Sequence, residues 1–173
     1  VLEMREGLKP ERYNLRLPRR PALIPRHLRF GVRERLRHTG KIETPLDAES
    51  LEAAIDALAA SDVEAVAICF LHAYANPVHE EAARERLAEK LTGVYVTVSS
   101  EVLPHIKEYE RVSTTAVNAY VGPVLERYLS GLDSRLREAG YTGPALITLS
   151  HGGVTPIEEA VRLAAGTVLS GPA

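Results

Sequence analysis

The nine residues "VEAVAICFL", Val63–Leu71, decide how the chain is read. After Glu64 the run is apolar without interruption, and it is too short for an ordinary helix. That is the signature of a strand buried on both faces, as in a parallel sheet covered by helices. Working outward, "DAESLEAAIDALAAS" (47–61) reads as a helix, with Asp47 as N-cap and Leu51, Ala54, Ile55 and Leu58 on one face. Downstream, Asn76-Pro77 sets an N-cap followed by proline at the first helical position, and that helix runs to about Leu91. "VYVTVSS" (94–100) is the next strand.

The pattern then repeats. A helix begins in "EYERVSTTAVNAY" (108–120) and reaches Gly122-Pro123, where the proline is expected to break or kink it. A second helix follows with Leu125, Leu129, Leu132 and Leu136 on one stripe, and Gly140 stops it. "ALITLS" (145–150) reads as a third core strand. "TPIE" (Thr155–Glu158) reads as a capping box opening a last helix that ends near Gly166, and "TVL" (167–169) as a short final strand. Upstream, "LRFGVRERL" (28–36) starts with Leu28, Phe30 and Val32 in alternation and reads as a strand. The chain is therefore expected to be an α/β domain over 46–173, a largely parallel sheet flanked by helices, preceded over 1–45 by a basic arm with a β-strand.

Composition sets limits. Of 173 residues, 45% are apolar and 25% charged, ordinary for a globular protein. The net charge of −2 carries no overall bias towards nucleic acid, but its distribution is uneven. Residues 1–41 hold 12 of the 21 Lys/Arg and only four acids, leaving +8 there and −10 in the remainder. A basic arm suits either nucleic acid or an acidic protein surface; few aromatics interleave to stack bases, so the second reading is preferred and no nucleic-acid partner is expected. One cysteine, Cys69, lies inside an apolar run, which suggests a reducing, cytoplasmic setting and a core thiol. No run approaches membrane-spanning length, and no membrane partner is expected. The six histidines show no metal-ligand spacing. The chain opens at Val1 without an initiator methionine and closes on Ser170-Gly171-Pro172-Ala173, so an internal piece of a larger protein is expected.

In an α/β sheet of this kind ligands gather at the carboxyl ends of the strands. Three loops leave those ends: "HAYANP" (72–77), "SSEVLPHIKEYER" (99–111) and "SHGGVTP" (150–156). The helix after the second loop carries Ser113, Thr114, Thr115 and Asn118, mediocre helix formers. Two readings stay open. Arg111 could fork a carboxylate or phosphate, with Thr114, Thr115 and Asn118 donating hydrogen bonds and Glu108 beside them. Alternatively Glu108, Glu110 and Arg111 form a helix-start salt-bridge network, and the hydroxyls pack. In Ser150-His151-Gly152-Gly153 the glycines admit close backbone approach and Thr155 offers a helix N-terminus to an anion, or the pair simply makes a tight turn. No catalytic residue is assigned.

Several stretches resemble the A-type chains of the hydantoinase/oxoprolinase family. They are "VRERLRHTGKIETPLD" (32–47), "VAICFLHAYANPVHE" (66–80, with Ala73 where Ser is usual), "EYERVSTTAVNAYVGP" (108–123), "SHGG" (150–153, with His151 in place of Asn) and "VLSGPA" (168–173). The resemblance is collinear over nearly the whole chain. It implies an actin-like, ribonuclease H-like ATPase fold, of which this chain would be a middle part. It further implies ATP and Mg2+ in an intact parent, whose Asp-Gly-Gly-Thr phosphate loops this chain lacks. No ATP site of its own is expected here. The implied chemistry is phosphorylation of a cyclic amide for ring-opening hydrolysis, with the family's B-type hydantoinase chain, or an equivalent region, as partner. The alternatives are ketone carboxylation or a non-catalytic interaction module. The polar face of 108–120 and the 150–153 turn become substrate or phosphate candidates by the same implication, and Ser170 and Gly171 nucleotide-side candidates.

Overall fold

The fold turns on how α1 (Ala48–Ala59) begins. Asp47 is extended, and its Oδ1 accepts the Ser50 N–H at 2.8 Å, which satisfies one of the donors a helix start leaves without a partner. Leu51, Ala54 and Ile55 then fall on one buried face. They pack on β3 (Ala65–Ile68), whose Val66 and Ile68 enter the same core as Ala83 and Leu87 of α2 (Val78–Lys90). β4 (Tyr95–Val98) lies parallel to β3 in the register Ala65↔Tyr95 to Ile68↔Val98. A short α3 (Ser99–Val102) follows directly, and α4 (Glu108–Glu138) packs on both strands. A hairpin of β5 (Leu146–Thr148) and β6 (Val154–Pro156), then α5 (Ile157–Arg162) and a 3-10 turn at Ala164–Thr167, complete the order. This computed structural model describes Leu2, Glu11, residues 13–16 and residues 21–168.

The class is α/β as expected, but the sheets are small. The described residues form three two-stranded sheets, and of these β3–β4 is parallel. "ALITLS" does not join it. β5 pairs antiparallel with β6 instead, because a five-residue turn with Gly152 at φ 86° returns the chain at once, and a local hairpin needs no crossover. Thr155 therefore pairs with Ile147 and caps nothing, and α5 starts without a side-chain cap.

Three further expectations change. The alternation at 28–32 yields a 3-10 turn at Arg26–Leu28, and pairing begins only at β1 (Arg35–Leu36), which meets β2 (Ile42–Thr44) antiparallel. Pro123 does not end its helix: α4 is one helix of 31 residues. Gly122 and Pro123 are buried in it, with Gly122 against the Tyr95 ring, so packing offsets the lost hydrogen bond. The final strand expected at 167–169 does not form over its described residues: Thr167 ends the 3-10 turn and Val168 follows in a turn, while residue 169 lies outside the described residues.

The arm segment from residue 32 docks on the α/β body. Arg33 pairs with Asp47 at 2.8 Å, and Asn76 Nδ2 donates to Gly40 O at 2.8 Å. Arg37 pairs within the hairpin with Glu43 at 2.8 Å. His79 is buried, with Nδ1 2.9 Å from the equally buried Glu34 Oε2.

Candidate functional site

At the carboxyl end of β3 the main chain leaves the sheet with its polar groups held by side chains. Glu80, fully buried in the first turn of α2, accepts the Phe70 N–H at 2.8 Å and the Ser99 hydroxyl at 2.6 Å through Oε1, and the Ser100 N–H at 2.8 Å through Oε2. Arg111, in the first turn of α4, is 1% exposed; Nη2 donates to Phe70 O at 3.2 Å and Nη1 to His105 O at 2.8 Å. A carboxylate and a guanidinium thus take the N–H and the C=O of one residue, Phe70. The guanidinium carbon also lies 5.5 Å from the centre of the Tyr74 ring, which meets His72 edge-on at 5.9 Å. Cys69 sits beside this cluster. Burial, then the Glu80 carboxylate, pushes its thiol up to about 12, so it stays protonated and is no nucleophile at neutral pH.

The poor helix formers of α4 have identifiable duties. The Ser113 hydroxyl donates back to Tyr109 O at 2.6 Å and that of Thr115, fully buried, to Arg111 O at 2.7 Å. Asn118, also fully buried, places Nδ2 3.0 Å from each of Tyr95 Oη, Thr97 Oγ1 and Arg162 O, while Oδ1 accepts the Ala165 N–H at 2.8 Å. Tyr95 donates its hydroxyl to Val161 O at 2.7 Å, and burial raises it to about 12. Glu108 is exposed and Thr114 half-buried.

Ser150 is exposed; its N–H donates to Gly166 O at 2.7 Å and its hydroxyl donates to Gly166 O at 2.9 Å and also to Val168 O. His151 is exposed, and its Nδ1 accepts the Gly153 N–H at 3.3 Å; the Gly152 N–H donates to Leu149 O at 2.9 Å. The turn amides are therefore used within the turn. Asn118 and Ser150 nevertheless converge on one segment, Arg162–Val168. Ser170 and Gly171 lie outside the described residues.

The structure thus divides the sequence candidates. Arg111, Thr115 and Asn118 form an interior framework, while Glu108, Thr114, Ser150, His151, Gly152 and Gly153 have surface access. Glu80, His79 with Glu34, and Tyr95 escaped the sequence reading. A Glu in the first turn of a helix is ordinary, and only its position after a buried strand hints at an inward carboxylate.

Comparison with known proteins then gives a direct result. A family model described as "Hydantoinase/oxoprolinase N-terminal region" matches residues 1–91, and one described as "Hydantoinase/oxoprolinase" matches residues 111–173. The chain is 39% identical over 174 residues to the alpha chain of the caprolactamase of Pseudomonas jessenii, covering 99% of this chain and 25% of that one. It superposes on the crystal structure of the ATP-dependent caprolactamase of that organism with a TM-score of 0.81 at 37% identity, covering 95% of this chain and 25% of the other. On the nucleotide-free structure of acetone carboxylase, described with ATP-dependent acetone carboxylation, the TM-score is 0.78 at 30% identity, covering 87% and 22%. The chain spans about a quarter of the length of the curated relatives it matches at 38–39% identity.

Proposed function

The chain belongs to the hydantoinase/oxoprolinase family, and from that premise we propose that it is an internal segment of an enzyme chain that uses ATP to activate a cyclic amide for ring-opening hydrolysis. The observation that carries this reading is the likeness to an ATP-dependent caprolactamase over 95% of the chain. Helices on both faces of the parallel β3–β4 pair agree with the proposed place in an actin-like ATPase fold. In this reading Glu80 and Arg111 hold the exit of β3, and Asn118 holds the Arg162–Ala165 segment. The surface-accessible Glu108, Thr114, Ser150, His151, Gly152 and Gly153 form the side offered to substrate or phosphate, with Ser170 and Gly171 towards the nucleotide. A second chain completes the enzyme, as the designation of the caprolactamase relative as an alpha chain suggests.

ATP and Mg2+ belong to the proposed parent. The described residues of this chain do not by themselves fit them. The Gly152 and Gly153 amides are engaged in their turn, both terminal nitrogens of buried Arg111 donate to main-chain carbonyls, and no cluster of three His, Cys, Asp or Glu stands ready for a metal among the described residues. No chemical step is assigned to them here.

A second reading, ketone carboxylation, is favoured by the likeness to acetone carboxylase. One assay separates the two. The intact polypeptide, purified with its partner chain, is given ATP and either lactams and hydantoins, or ketones with bicarbonate, and ADP release is followed. ADP release that depends on a cyclic amide, with appearance of the opened amino acid, supports the proposal. Release dependent on ketone and bicarbonate replaces it with the second reading, and release with neither sinks both.

A further inference from the structure

The loop that leaves β3 holds a histidine in a backbone conformation that favours glycine. His72 has φ 61°. It stands third in the turn that the Ala73 N–H closes on Phe70 O at 3.4 Å, and a turn with positive φ at that place normally takes glycine or asparagine. A Cβ is strained in the left-handed region. Such strain persists where the surroundings over-determine the backbone, and it gathers at ligand sites.

The surroundings of this loop are restrictive. Glu80 takes the Phe70 N–H and Arg111 the Phe70 C=O, the Ala75 N–H donates to His72 O at 2.9 Å, and Ala73 is 1% exposed. At the far end Asn76 is tied to Gly40 O of the arm hairpin, and a Cβ on Gly40 would meet Ala75 O at 3.0 Å. The His72 backbone therefore cannot relax without breaking one of these contacts.

The His72 ring is placed rather than packed away. Tyr74 meets it edge-on with Oη 3.5 Å from Nδ1, and Tyr74 itself lies beside the Arg111 guanidinium. His72 stays half-buried, and among the described residues no hydrogen bond reaches its Nε2. It stands at the carboxyl end of a parallel strand, where ligands of such sheets gather. Arg111 also binds His105 O of the loop after β4, so the exits of both parallel strands are joined here.

We propose that His72 is a substrate-contacting residue, its Nε2 hydrogen-bonding the –NH–CO– edge of a small cyclic amide while the Tyr74 ring borders the apolar part of that molecule. The chemistry of the place favours an uncharged ligand. Both terminal nitrogens of Arg111 are engaged by carbonyls, and Lys107 pairs with Glu110 at 3.4 Å. What remains is an imidazole, which offers either one donor or one acceptor, beside an aromatic surface. The identity of the ligand rests on the function proposed above; the strained, braced histidine does not.

Diethyl pyrocarbonate, which acylates accessible neutral imidazoles, tests the contact on the intact polypeptide with its partner chain and without ATP. Peptide mass spectrometry reads each histidine separately, with exposed His27 and His38 as references. Caprolactam or hydantoin at about ten times its Kd leaves about one part in eleven of the sites free, so modification of His72 is expected to slow about tenfold while the references are unchanged. His72→Gly is expected to melt no lower than wild type, because glycine adopts this φ freely, and to raise KM for the amide by about tenfold or more. The proposal is overturned by a His72 that does not react in the free enzyme, by an unchanged rate with the amide, or by protection from a ketone with bicarbonate alone. A lowered melting temperature of His72→Gly overturns it as well, since the ring would then belong to the packing. Amide-dependent ADP release without protection of His72 sinks this inference and spares the proposed function; protection without ADP release does the reverse.

Discussion

Arg111 shows how a residue type that suggests a ligand can be spent on the protein itself. A guanidinium after two acids at a strand exit invites an anion, yet here it is 1% exposed and donates to Phe70 O and His105 O. Arg111→Ala removes two charged hydrogen bonds, to Phe70 O, which keeps the Ala73 N–H at 3.4 Å, and to the carbonyl of exposed His105, and at about 1.5–3 kcal/mol for a bond of this kind a loss of about 2–4 kcal/mol in unfolding free energy is expected. Arg111→Lys should fall between, since one ammonium cannot fork to both carbonyls. Urea midpoints of the intact polypeptide check this; unchanged midpoints with lost turnover would instead make Arg111 a ligand-binding residue. Asp47 supports a prediction of acid sensitivity. Its carboxylate, held by the Ser50 N–H and then by Arg33, is lowered from 3.8 to about 2. A depressed folded value means that the cap's contribution is complete above the unfolded value and is lost as pH falls through the folded one. Asp47→Asn keeps an acceptor for Ser50 but has no charge to titrate. The stability gap between wild type and this variant should therefore be steady above about pH 4 and close as pH approaches about 2; a gap that widens on acidification contradicts the assignment.

At the scale of elements, α4 offers a paired test. Glycine inside a helix normally costs about 0.5–1 kcal/mol relative to alanine. Gly131 has nothing within 4 Å of a Cβ position, so Gly131→Ala should stabilise by about that amount. Gly122 is the opposite case. A Cβ there would overlap the Tyr95 ring, which cannot swing away while its hydroxyl is held by Val161 O and Asn118. Gly122→Ala should destabilise, with overpacking of about 1–3 kcal/mol outweighing the propensity gain. Thermal melts of the two variants should move in opposite directions. The contrast also marks what could be read beforehand. α1, α2, β3 and β4 were legible because capping chemistry, periodicity and an unbroken apolar run all agreed there. The break admitted at Pro123 does not occur, because that signal is local, whereas the contact of Gly122 with Tyr95 is between residues far apart in sequence. "ALITLS" had the composition of a core strand, but its pairing was decided by the turn beyond it. Of the candidate site, the polar residues of 108–120 were found, but the inward direction of Arg111, Thr115 and Asn118 was not, because helical spacing shows which residues share a face and not what that face meets.

Across the whole molecule, ion pairs tie the helices together. Glu52 of α1 meets Arg86 and Lys90 of α2, which lowers its carboxyl to about 2, and Glu101 of α3 meets Arg84 of α2 and Arg162 of α5. These partly exposed pairs order the surface more than they stabilise it. The same accounting bears on nucleotide. Holding a triphosphate needs several convergent donors, typically main-chain amides at a glycine-rich turn together with a cation. In this chain the Gly152 and Gly153 amides point to Leu149 O and His151 Nδ1, and Arg111 is buried on carbonyls. α5, with six residues, offers a weak dipole at best. Residues 1–173 alone are therefore expected to bind Mg-ATP no more tightly than about 1 mM, equivalent to about −4 kcal/mol. The intact polypeptide, if it carries the phosphate-binding loops expected of it, should bind orders of magnitude more tightly. Titration calorimetry on both proteins decides the matter, with a cooperative melt first establishing that the shorter one is folded. Micromolar binding by the folded 173-residue chain would mean that the turn at Ser150–Gly153 opens to phosphate, and the division of labour proposed between this segment and its parent would have to be abandoned.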